Sequence, residues 1–124
     1  MTYARLMRRI VIADASPIFL NAAAHLVSSL PGYTLAGTST TSQQTLSLLE
    51  SVGPDVLLVD LGTVRGLDMV RRVKAGPRPP TVVAMTLFHT PEAAAAATRA
   101  GADALVGKER FVAGLRGALA RLFP

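Results

Sequence analysis

Short unbroken apolar runs, each followed by a stretch of helical periodicity, set the pattern of this chain. The first, Ile10-Val11-Ile12-Ala13, predicts a strand buried on both faces, because a half-exposed strand would alternate apolar with polar. Ser16-Pro17 then supplies an N-cap and a proline at the first helical position, and Phe19, Ala22, Ala23, Leu26 and Leu30 recur at helical spacing as a core stripe. Pro31-Gly32 ends that helix. Tyr33 to Ser39 reads as the second strand, and Thr41 and Gln44 stand at capping-box spacing ahead of Leu46 and Leu49. Gly53-Pro54 closes the second helix.

The third strand is the run Asp55-Val56-Leu57-Leu58-Val59-Asp60, and Leu67, Val70 and Val73 mark the helix after it. A proline-rich loop, Gly76 to Pro80, leads into a fourth strand, Thr81 to Thr86. Pro91 and Glu92 open an alanine-rich helix with Gly101 as its C-cap. Asp103 to Val106 is a short fifth strand, and Val112, Leu115, Leu119 and Leu122 stripe the last helix. Five strands alternating with five helices imply an α/β fold whose parallel sheet is covered on both faces. No repeat or low-complexity linker interrupts it, so residues 1–124 read as a single domain.

Composition narrows the function. With 124 residues and 50% hydrophobic content, the chain suffices for one proper core. Thirteen Lys and Arg against eight Asp and Glu leave a net charge of +5, a solvated basic surface or a patch for an acidic partner. No motif supports direct nucleic-acid binding. The absence of cysteine excludes disulfides, thiolate metal sites and cysteine nucleophiles. Arg5, Arg8 and Arg9 precede an apolar stretch that Asp14 cuts too short for a signal peptide, and no apolar run approaches ~20 residues. A soluble, cytoplasmic protein away from membranes is expected.

Asp60 directly follows four apolar residues, so it emerges at the carboxyl edge of a buried parallel strand, the edge at which open α/β sheets bind ligands. A carboxylate buried there is costly unless a metal or a lysine faces it. In strand order the polar strand ends are Asp14, Asp60, Thr86 and Lys108, and all four converge on that edge. Singly, each has a plainer reading: Asp14 as a helix cap, Thr86 as a β-branched strand residue, Lys108 as an exposed loop charge. His25 and His89 fall at no metal-ligand spacing.

With these residues in place, the chain resembles the receiver domain of bacterial two-component response regulators over essentially its whole length. The resemblance implies a flavodoxin-like doubly wound sheet of five parallel strands in the order 2-1-3-4-5, with five helices. It also implies a signalling module rather than an enzyme, in which Asp60 accepts a phosphoryl group from a sensor histidine kinase or phosphotransfer protein. Mg2+ would neutralise the charge building during that transfer. By the same resemblance Asp60 and the Gly62 carbonyl would supply part of the magnesium shell, and Asp14 would hold a ligating water. Lys108 would pair with the phosphoryl group, and the Thr86 hydroxyl would bond to it, drawing the following loop inward.

Several positions depart from that pattern. Receivers usually open with two adjacent acids, whereas this chain has Asp14-Ala15, aligned without a gap through Pro17. One metal ligand is therefore missing, and weak or absent magnesium binding is expected. The loop Gly62-Thr63-Val64-Arg65-Gly66 is short and lacks the usual Met-Pro turn, which brings Arg65 toward the site, where a guanidinium would replace missing metal charge or bind the phosphoryl group. Leu87 stands where a small residue normally leaves access to the aspartate, and its bulk should hinder donors. Leu105 replaces the aromatic switch expected three residues before the lysine.

Two readings follow on this scaffold. The preferred one is a phosphorylatable receiver with an impaired magnesium site, signalling through the face of its fourth helix, fifth strand and fifth helix. The alternative is a pseudo-receiver, an interaction module independent of phosphorylation, which Ala15, Leu87 and Leu105 favour. A flavodoxin-like cofactor protein is a third class, but Asp14-Ala15-Ser16-Pro17 is acidic and closed by proline rather than a phosphate cradle, and Ser16 stands where a cobalamin module needs histidine. With Pro124 directly after the last helix, output is expected through a downstream protein target unless the chain is part of a longer regulator. Phe111, Phe123 and the Leu115-Leu119-Leu122 stripe exceed what one buried face requires, which points to a homodimer through that helix.

Overall fold

Each apolar run becomes a strand and each periodic stretch a helix. The computed structural model describes residues 7–124, so Arg5 lies outside the described residues. In chain order the elements are β1 (Arg8–Ala13), α1 (Pro17–Ser29), β2 (Tyr33–Ser39), α2 (Ser42–Val52), β3 (Val56–Asp60), α3 (Gly66–Lys74), β4 (Thr81–Thr86), α4 (Pro91–Ala100), β5 (Ala104–Gly107), a 3₁₀ turn (Lys108–Arg110) and α5 (Phe111–Leu122). All strand pairs are parallel and the order is β2-β1-β3-β4-β5, the expected doubly wound topology.

Alternation along the central strands sends side chains to two separate cores. Ile10, Ile12, Val56, Leu58, Val83 and Met85 pack with α1 and α5, while Val11, Ala13, Leu57, Val59 and Val82 pack with Met69 and Val70 of α3 and Ala100 at the end of α4. Every residue of β3 is buried, which is why its sequence is continuously apolar up to Asp60.

The helix boundaries follow local chemistry. The Ser16 hydroxyl accepts from the Phe19 N–H ahead of Pro17, and Thr41 accepts from Gln44 N–H. The Gln44 amide oxygen reaches back to the N–H and hydroxyl of Thr40, one residue before the position a capping box would use. Gly53 and Gly101 end α2 and α4 in the left-handed conformation, at φ 58° and 104°.

Three expectations shift. On α1 the inward residues are Leu20, Ala23 and Val27, with Leu30 just beyond; Phe19 and Leu26 are half-buried and Ala22 is exposed. Asn21, His25, Ser28 and Ser29 share the exposed face, and the inward residues lie opposite them, within a broad apolar arc that the spacing of Phe19, Ala22 and Leu26 places too far to one side. On α5 Ala118 joins Leu115 and Leu119 inside, while Val112 is exposed. The fifth strand begins one residue late, because Asp103 stays outside it: its Oδ2 accepts from Val82 N–H and from Lys74 Nζ, both at 2.8 Å. Much of the surplus apolar surface of α5 is also spent within the chain, since Phe111 packs edge-on to Phe19 at 5.0 Å and Phe123 to Tyr33 at 6.3 Å.

Candidate functional site

The site is built by strand register. Ala13 pairs with Val59, so the next residues of the two strands, Asp14 and Asp60, leave the sheet side by side. Thr86 pairs with Gly107, and Lys108 follows at once. Both acids are buried, Asp14 completely and Asp60 to 4% exposure. The Lys108 side chain reaches across the end of β4 and places its ammonium between them, bonded to Asp14 Oδ2 and 3.0 Å from Asp60 Oδ1. The ammonium lies 4.3 Å from the centre of the Phe19 ring. Burial pulls the Lys108 pKa down, but the hydrogen bonds and charges of Asp14 and Asp60 outweigh it and hold the pKa above the usual 10.5.

The remaining oxygens are also engaged. Asp14 Oδ1 accepts from Ser16 N–H at 2.9 Å, so Asp14 turns the chain into α1 as well as facing Lys108. Asp60 Oδ2 accepts from the Thr63 hydroxyl at 2.8 Å, and Thr63 Oγ1 in turn accepts from Ala15 N–H at 3.0 Å. Among the described residues no buried side-chain nitrogen or oxygen lacks a partner.

Thr63 is held there by a tight loop. Val64 and Arg65 are both left-handed, at φ 49° and 53°, which costs roughly 1–2 kcal/mol for each non-glycine residue. Gly66 opens α3 pressed against the end of β3, where a Cβ would overlap Asp60 O and stand 2.6 Å from Leu61 Cα. No other residue fits there without moving the backbone. A Cβ on Gly62 would stand 3.5 Å from Asp60 Oδ2, so the loop passes close to the carboxylate.

Asp14, Asp60 and Lys108 are thus brought into one hydrogen-bonded cluster, with Gly62 beside it. Thr86 ends β4 on the same edge, half-buried, but its hydroxyl takes no part in the cluster. Arg65 does not serve the site as expected: its guanidinium pairs with Asp68 on α3 at 3.5 Å, with a largely exposed side chain. The left-handed turn at Val64-Arg65 has redirected it. Leu87 is 66% exposed and stands with exposed Phe88 at the rim. Sequence reasoning missed two participants, Thr63 and Glu109. Glu109 Oε2 accepts from His89 N–H at 2.9 Å and so anchors the β4–α4 loop to the turn that carries Lys108.

Two carboxylates and neighbouring loop carbonyls are the hard oxygen donors that magnesium takes. A third acid is lacking where Ala15 stands, and among the described residues no group of three or more His, Cys, Asp or Glu gathers. The Lys108 ammonium already balances much of the acids' charge. The donor set therefore fits a magnesium ion in kind but is short of an acid. Among the described residues no helix is long and apolar enough to cross a membrane.

Comparison with known proteins gives this geometry a family. The curated nitrate/nitrite response regulator protein NarL of Escherichia coli is 26% identical over 102 residues, covering 81% of this chain and 47% of that protein. The chain thus spans about half the length of the curated relatives it matches. Among solved structures, the isolated REC domain of RcsB from Salmonella enterica serovar Typhimurium with phosphomimetic BeF3- is 21% identical with a TM-score of 0.83, covering 93% of this chain and 87% of that one. The signal receiver domain of the putative response regulator NarL from Mycobacterium tuberculosis is 20% identical with a TM-score of 0.84, covering 94% and 95%. Residues 10–119 match the family model of the response regulator receiver domain, and the chain belongs to that family.

Proposed function

We propose that residues 1–124 form one atypical receiver unit of a cytoplasmic two-component phosphorelay, a signalling module rather than an enzyme, in which Asp60 is the phosphoacceptor. The observation that carries this reading is a nearly buried carboxylate at the carboxyl edge of β3 with the Lys108 ammonium 3.0 Å away. An Asp60 oxygen attacks phosphorus of a phosphohistidine or small acyl phosphate, an O–P bond forms, and the donor's bond to phosphorus breaks. Lys108 then moves its hydrogen bonds from the carboxylates to the new phosphoryl oxygens. Thr86, on the same edge, supplies a hydroxyl to that group.

Asp60, the Gly62 carbonyl and, through a water, Asp14 would hold Mg2+, weakly given Ala15, and the ion would neutralise charge on the transferring group. The partners of this reading are a sensor histidine kinase or phosphotransfer protein and a downstream protein target. Ile18, Leu87, Phe88 and Val112 are exposed large apolar residues, all following carboxyl ends of strands, and give such a donor an apolar rim around the pocket. A homodimer through the last helix would draw on exposed Val112 and on the half-buried Phe111, Leu122 and Phe123. RcsB has been solved bound to the promoter rprA, but this chain covers 61% of that protein, and DNA contact forms no part of the reading.

A phosphorylation-independent pseudo-receiver is the second reading, favoured by one observation: both oxygens of Asp60 are occupied, by Lys108 and by Thr63. Intact mass after incubation with acetyl phosphate and Mg2+ separates the two. A phosphoryl adduct lost in Asp60→Asn supports the phosphoacceptor. No adduct in folded protein, under conditions that modify another receiver, selects the interaction module.

A further inference from the structure

We propose that Thr63 is a positioning residue that keeps the Asp60 pocket closed to cations and phosphodonors, an internal hydroxyl standing in for a ligand on the acid. Its Oγ1 donates to Asp60 Oδ2 at 2.8 Å and accepts from Ala15 N–H at 3.0 Å, so one side chain ties the β3–α3 loop to the β1–α1 loop over the carboxylate. Lys108 takes the other oxygen, Oδ1, at 3.0 Å. Asp60 thereby has a partner on each oxygen without any ion or substrate.

The backbone holds this arrangement in place. Left-handed Val64 and Arg65 and the close seat of Gly66 on the end of β3 leave the loop little freedom to withdraw. The residue at which the closure is anchored is Ala15, whose side chain offers no ligand but whose N–H holds Thr63 in place. A cation or donor reaching Oδ2 must first break the Thr63 bond, and the broken bond must be replaced in the open state. Closure by Thr63 is therefore a resident competitor to anything that uses Asp60.

The inference rests on Asp60 being the functional acid but not on its phosphorylation, so the primary readout is cation binding. Mg2+ and Mn2+ are titrated calorimetrically into the full chain and into Thr63→Ala, Thr63→Val and Thr63→Ser. Loss of one hydrogen bond's competition predicts about five- to tenfold tighter cation binding in Thr63→Ala and Thr63→Val, with Thr63→Ser, which keeps the hydroxyl, close to the parent. Thr63→Val preserves shape, so it controls for a poorly folded alanine variant. Where an acetyl phosphate adduct forms, its rate should rise in the same two variants. Affinities equal in all four proteins, binding in none, or a loss on removing the hydroxyl that serine does not share, overturn the proposal. Tighter binding with no adduct in any variant leaves it standing while removing the phosphoacceptor reading.

Discussion

Lys108 Nζ bonds to Asp14 and lies 3.0 Å from Asp60 Oδ1, so a single ammonium bridges two acids carried by neighbouring strands. One positive charge serves two buried carboxylates, which makes the lysine the counter-ion of the site before any ligand arrives. The sheet brings the acids together by register, and only a long side chain from beyond β5 can span the end of β4 to meet both.

Removing that charge should be costly. Lys108→Met leaves two adjacent buried carboxylates without a counter-charge, and a loss of about 3–5 kcal/mol in urea unfolding at neutral pH is expected. A loss below about 1 kcal/mol would mean that water already screens the pair.

High pH probes the same contact. Lys108 and Tyr33 both bind their protons more tightly folded than unfolded, Lys108 through its two acids and Tyr33 through burial. Each therefore contributes stability that is fully present below its unfolded value, 10.5 and 10.0 respectively, and is lost as pH rises through the raised folded value. Unfolding free energy should fall above pH 10, and Tyr33→Phe and Lys108→Met should each remove part of the fall. An identical alkaline profile in all three proteins would sink the assignment.

Gly66 is required for contact rather than for a special φ. In Gly66→Ala the new methyl overlaps Asp60 O and meets Leu61 Cα at 2.6 Å, so α3 must move off the end of β3. A destabilisation of about 2–3 kcal/mol is expected, together with a changed exchange rate for the Ala15 amide that Thr63 accepts.

Arg65 should be dispensable. Its φ of 53° favours glycine and its exposed side chain reaches Asp68. Arg65→Gly is expected to raise stability by about 0.5–1 kcal/mol, the relief of left-handed strain less the entropy of glycine, with cation affinity unchanged. A drop in affinity would return the guanidinium to the site.

Glu109 holds the β4–α4 loop through His89 N–H at 2.9 Å. Glu109→Ala should speed hydrogen exchange of the His89 amide by about tenfold, whereas Glu109→Gln, which keeps an acceptor oxygen, should stay near the parent. Equal protection in all three would leave this bond without a role in ordering the loop.

The central strands were legible because β3 and the inner residues of β1 and β4 are buried on both faces and so stand in the sequence as apolar runs, while the half-exposed β2 and short β5 were bounded by their flanking turns; Ser16, Thr41, Gly53 and Gly101 mark helix ends by local chemistry. Local signals also placed Asp14, Asp60 and Lys108 at one edge, since residues that follow parallel strands must emerge together. The inward face of α1 was only partly legible: Asn21, His25 and Ser28 mark its outer side, but the apolar arc opposite is wide enough to hold Phe19, Ala22 and Leu26 as well, and packing against the sheet and α5 selects Leu20, Ala23 and Val27 within it.

The loop after β3 was not legible in the same way. Threonine and arginine two residues apart in a short irregular segment carry no periodicity, and either one was free to face the acid. Two left-handed residues and a glycine with no room for a side chain turned Arg65 toward Asp68 and Thr63 onto Asp60. The scaffold and the meeting of the two carboxylates follow from burial and strand order, which the residue pattern already carries. Which side chain closes over them depended on backbone dihedrals that only the packed chain imposes.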